Sequence, residues 1–143
     1  MSQLPFTQRE LKNAWRQLRQ VSISTPRSNA HRLLLFYSIE CGLKAAWLKN
    51  KGKNLFESED ISQTGHNLNQ LLKDLRIKQT LPIGLSMGPV QDHRRNPIPR
   101  NGDIDVLHQV WRYGGALMNP PVSDSEMEQS LEKIQAWIEK ELT

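Results

Sequence analysis

RLLLFYSIECGLKAAWL, residues 32–48, is the stretch whose reading decides the fold. Leu33, Leu34, Leu35, Phe36, Ile39, Leu43, Ala46 and Trp47 leave no continuous polar stripe when wound at a helical period. A helix that is apolar on most faces is covered by neighbours on several sides, the position of a central helix in a bundle. Thr25 can cap it with Pro26 at the first helical position, where a missing N–H costs nothing. The glycine of NKGK marks its end near Lys49. Ser38, Gly42 and Ala46 recur every four residues, a strip of small side chains on which another helix can sit close. Glu40 and Lys44 stand in the favourable i,i+4 order for an ion pair.

Helices flank this one on both sides. Upstream, Thr7 and Glu10 make a T-x-x-E capping box, Phe6 and Leu11 a hydrophobic staple, and Leu11, Trp15, Leu18 and Ser22 one face. SISTPRS breaks that helix at Pro26. Downstream, GKNLFESEDISQT reads as a loop. GHNLNQLL then opens a helix with Leu68, Leu71, Leu72 and Leu75 on one side, and His66 or Asn67 can cap it by accepting from a free backbone N–H. IKQTLPIGLSMGPVQDHRRNPIPRNG, with four prolines and three glycines, reads as a long structureless segment, a rarity that is often functional. Asp103 is the expected cap of a helix carrying Ile104, Leu107 and Trp111. Ser123 and Glu126 repeat the capping box, and Val122 and Met127 the staple, before the stripe Leu131, Ile134 and Ile138. No alternating run calls for a sheet. The expectation is an all-α fold, one helical bundle of about five helices over residues 1–143.

Composition narrows the function only a little. A 37% apolar chain of 143 residues is large enough to bury a core, and a formal charge of +4 with a pI of about 9.4 mildly favours a polyanionic partner. Nothing approaches ~18 uninterrupted apolar residues, so no membrane span is expected, and MSQLPFTQRE lacks the basic and apolar regions of a signal peptide. A cytoplasmic location follows as an expectation. The single cysteine, Cys41, permits no intrachain disulfide and sits where a small buried hydrophobe belongs. Phosphate-binding loops, nucleophile elbows and H-E-x-x-H are absent, and the four histidines lack metal-ligand spacing. No metal and no cofactor are expected.

Basic residues and histidines supply the candidate sites. Arg27 and His31, and His108 and Arg112, are each four apart and would project together from one helix face. Guanidinium holds phosphate while imidazole moves protons, a workable unit for RNA cleavage, although the same spacing also suits a solvated surface. Arg94, Arg95 and Arg100 concentrate positive charge in the long segment and are candidate phosphate contacts.

RLLLFYSIECGLKAAWLKNKGK followed by GHNLNQLLKDLRI resembles the core of the HEPN domain superfamily, over roughly residues 28–118. The resemblance implies a helical domain that forms a homodimer, or a heteromer with a partner protein, in prokaryotic antiviral defence or toxin–antitoxin assemblies. Many HEPN proteins are metal-independent ribonucleases with an R-x4-6-H motif, and others are inactive binding modules. This sequence departs from the motif: three residues separate Arg27 from His31 and seven separate Arg100 from His108. One residue of difference turns a helical side chain by about 100°. The expectation is therefore a catalytically degenerate module that binds RNA or a protein. The alternatives are a ribonuclease using His108 with Arg100 or Arg112, Tyr113 helping to position substrate, and a purely structural subunit of a larger complex.

Overall fold

Capping chemistry sets the ends of the long helices. In the computed structural model, which describes residues 4–64 and 67–143, the chain forms α1 (Gln8–Ser22), α2 (Asn29–Lys51), α3 (Ser58–Thr64), α4 (Leu68–Asp74), α5 (Leu107–Arg112) and α6 (Asp124–Leu142). A 3₁₀ turn, Ile104–Val106, leads into α5. Thr7 Oγ1 accepts from the Glu10 N–H at 3.1 Å while Glu10 Oε1 accepts from the Thr7 N–H at 2.9 Å. Ser123 and Glu126 repeat this reciprocal pair before α6, with Val122 and Met127 both buried beside it. Gly52, in the left-handed conformation, ends α2 as glycine should. Asn67 caps α4 by accepting from the Asn69 N–H at 2.9 Å, whereas the expected cap at His66 lies outside the described residues.

The fold is mostly helical but not all-α. Two small antiparallel sheets interrupt the helices: β1 (Phe6–Thr7) with β2 (Leu55–Phe56), and β3 (Gly84–Gln91) with β4 (Pro97–Asp103). The second corrects the expectation of a structureless segment. Prolines argue against a central strand, but in a two-stranded hairpin every strand is an edge, so Pro89, Pro97 and Pro99 are tolerated. Likewise the expected loop at 52–64 contains β2 and α3, because Asp60 accepts from the Glu57 N–H at 2.7 Å and from Lys53 Nζ at 2.7 Å.

A second correction concerns the start of α2. Ser28, not Thr25, is the cap: its Oγ accepts from the His31 N–H at 3.4 Å, and its own N–H donates to His31 Nδ1 at 3.2 Å. Arg27 is thereby left before the helix, where its Nε donates to the Ser22 carbonyl at 2.8 Å and its guanidinium pairs with Glu128 and Glu132 on α6. Arg27 and His31 consequently share no helix face, and both have structural work. Asp103 does stand at the cap position, there of the 3₁₀ turn before α5, but it makes no side-chain capping bond and also closes β4.

From Leu35 to Leu48, α2 is buried on most sides as its composition predicts, and Leu35, Ile39 and Leu43 are fully enclosed. Each such aliphatic contributes about 1.5–3 kcal/mol on burial. The small-residue strip does admit close neighbours, and both come from the same chain. A Cβ on Gly42 would lie 2.8 Å from Trp15 Cδ1 of α1 and 2.8 Å from Ile138 Cγ2 of α6. Glu40 and Lys44 pair at 2.9 Å as their spacing predicts, and Lys44 Nζ also stands 5.2 Å from the Phe56 ring centre. Among the described residues no helix is long and apolar enough to cross a membrane.

Candidate nucleic-acid interface

Asp92 builds the tip of the β3–β4 hairpin. Its Oδ1 accepts from the backbone N–H of Arg94 at 2.8 Å and of Asn96 at 2.9 Å, an Asx arrangement that folds the chain back. The Arg95 N–H donates to the Asp92 carbonyl at 2.9 Å, with Arg95 at φ 64°. That left-handed backbone suits glycine or asparagine, and a branched or long residue there carries a steric cost of about 1–2 kcal/mol. His93, Arg94 and Arg95 are all exposed, so the tip presents cations to solvent.

Below the tip, an irregularity between Met87 and Val90 puts one extra residue on β3. Arg100 stands opposite Met87, and its Nε donates to the Gly88 carbonyl at 2.7 Å. This bond holds the root of the guanidinium at the bulge, on the hairpin side of the junction. The hairpin's base is seated on the helical body: Leu85 is buried, and the Met118 N–H donates to the Ser86 carbonyl at 2.8 Å. Gly115 permits the fit, since a Cβ there would press on the Met87 methyl and stand 2.9 Å from the Val110 carbonyl oxygen.

Two hollows lie side by side at this junction. The larger, about 700 Å³, separates the hairpin from α5 and is bordered by Met87, Arg100, Asn101, Val110 and Tyr113. The smaller, about 390 Å³, lies between α2 and α5, bordered by Phe36, Tyr37, Glu40, His108 and Arg112. Val106 and Gln109 border both and form the ridge between them. The His108 ring stacks on Phe36, centroids 6.0 Å apart and planes at 29°. Its imidazole makes no hydrogen bond among the described residues, and the Phe36 ring is what it packs against. Arg112 is exposed, its guanidinium carbon 5.7 Å from the centre of the Tyr113 ring.

The sequence-derived residues thus fall into three places. His108 and Arg112 share the smaller hollow, Arg100 borders the larger one across the ridge, and Arg94 and Arg95 occupy the hairpin tip. Phe36, Tyr37 and Glu40, which wall the smaller hollow, read in the sequence only as parts of the core helix. Helical spacing relative to His108 cannot reveal them, because they come from a different element. Among the described residues no group of three or more His, Cys, Asp or Glu is placed to hold a metal ion. No family model, curated protein or solved structure matches the chain.

Proposed function

We propose that this chain is a helical module that binds RNA through its hairpin arm, with little or no ribonuclease activity. The observation that carries the reading is Arg95: a long cation occupies a left-handed turn position that glycine would fill with less strain, at the exposed tip of an arm. Arg94 beside it and Arg100 lower on the arm extend the charge along one element. Binding of this kind releases counterions and weakens steeply with salt. The HEPN resemblance extends the proposal to a homodimer or heteromer with a partner protein in antiviral defence or a toxin–antitoxin pair.

A ribonuclease is the second reading, favoured by one observation, the shared hollow of His108 and Arg112. The unanchored imidazole weighs against it.

The test is the triple variant Arg94→Ala, Arg95→Gly, Arg100→Ala in RNA-binding titrations over a salt series. Affinity should fall, the salt dependence should flatten by about three counterions at most, and thermal stability should hold because glycine relieves the turn. Unchanged RNA affinity in a folded triple variant would overturn the reading.

A further inference from the structure

The larger hollow has a mixed chemistry that the basic tip lacks. Met87 and Val110 give it an apolar wall, Tyr113 stands on its rim largely exposed to solvent, and Arg100 supplies a cation anchored at its root. Asn101 and Gln109 add amide edges. Ser86 Oγ donates to Asn101 Oδ1 at 2.9 Å, which orients the Asn101 amide and leaves its NH₂ without a hydrogen bond among the described residues. An apolar wall beside an aromatic ring takes a flat heterocycle, amide groups read its polar edge, and a guanidinium takes an attached phosphate. An unpaired nucleotide offers all three surfaces at once, whereas pairing hides the base edge inside a duplex.

We propose that the groove between the hairpin and α5 receives one base of single-stranded RNA, stacked at Tyr113, with an adjoining phosphate on Arg100. This inference rests on the RNA-binding reading and deepens it. The groove also gives the strand a direction. It passes Arg100 and Tyr113, crosses the ridge at Val106 and Gln109, and reaches Arg112.

The experiment compares the parent, Tyr113→Ala, Tyr113→Trp and Arg100→Ala on labelled single-stranded nonaribonucleotides and on a duplex of the same sequence. Tyr113→Ala should weaken single-strand binding about tenfold without changing the salt slope, since a stacked base and no charge is lost. Tyr113→Trp should bind as well as the parent or better. Arg100→Ala should weaken binding and flatten the salt slope by about one counterion. The duplex should bind more weakly than the single strand and ignore Tyr113. Equal affinity of Tyr113→Ala and the parent, in a protein whose binding still depends on Arg94 and Arg95, overturns the groove and leaves the RNA-binding reading standing. Absence of any RNA binding by the parent overturns both.

Discussion

Trp15 Nε1 donates to Gln135 Oε1 at 2.8 Å, joining α1 to α6 across 120 residues of sequence. Gln135 Nε2 donates in turn to Ser38 Oγ on α2 at 3.2 Å, so one buried amide ties three helices together. Replacement by leucine keeps the volume but leaves the indole N–H buried without a partner. An orphaned buried donor costs about 1–3 kcal/mol. Gln135→Leu should therefore lose about that much stability in urea unfolding, and the double variant Trp15→Phe, Gln135→Leu should lose less than the sum of the two single variants, because the second change then orphans no donor. A loss below about 0.5 kcal/mol would show the bond to be dispensable.

Gly42 offers a test with the opposite sign from simple propensity. Glycine inside a helix is ordinarily about 0.5–1 kcal/mol worse than alanine. Here the added methyl would stand 2.8 Å from Trp15 Cδ1 and from Ile138 Cγ2, both on side chains enclosed in the core. Overpacking of this kind costs about 1–3 kcal/mol. Gly42→Ala should therefore lower the unfolding midpoint, and a stabilised variant would mean that α1 and α6 do not close on α2 as described.

Cys41 should be slow to alkylate in the folded protein. Burial pushes its thiol up from 9.0 to about 11, and Glu40 beside it acts in the same direction. Because the thiolate is the reactive form, raising the thiol from 9.0 to about 11 lowers reactivity at a fixed mildly alkaline pH about a hundredfold. The sign follows: alkylation of the native protein should keep accelerating with pH beyond the point where an unfolded thiol has levelled off. Iodoacetamide kinetics in buffer and in urea, compared at each pH, check this. Native and denatured rates that coincide would contradict it.

Cleavage separates a binding module from an enzyme. The parent, His108→Ala and Arg112→Ala should all leave structured and unstructured RNA intact in the presence of chelator. A catalytic acid or base contributes about a hundredfold or more in rate. Robust cleavage by the parent, lost in both folded variants, would make the smaller hollow an active site and reverse the preferred reading.

The long helices are legible in the sequence because their determinants are local. Thr7 with Glu10 and Ser123 with Glu126 cap within one turn, and the apolar content of residues 35–48 announces burial whatever the neighbours are. The small-residue strip at Ser38 and Gly42 implies close helix approach, but spacing alone cannot say whether the visitor belongs to the same chain. Elsewhere two local options compete. Thr25 and Ser28 both offer a cap, and His31 Nδ1 closes the reciprocal bond only with Ser28.

The hairpin and the site next to it belong to tertiary structure. Its prolines read as loop punctuation because the free outer edge of each strand, which makes them tolerable, is a property of the folded molecule. Sequence alone nominates His108, Arg112, Arg100, Arg94 and Arg95, since residue chemistry is written in the chain. Their division is decided by contacts across distant elements: Arg100 on Gly88 of the partner strand, His108 on Phe36 of α2, and Asp92 folding the arginines out at the tip. Side-chain chemistry and helical phase are carried by neighbouring residues, whereas the grouping of those side chains into one hollow or two follows from how the elements pack.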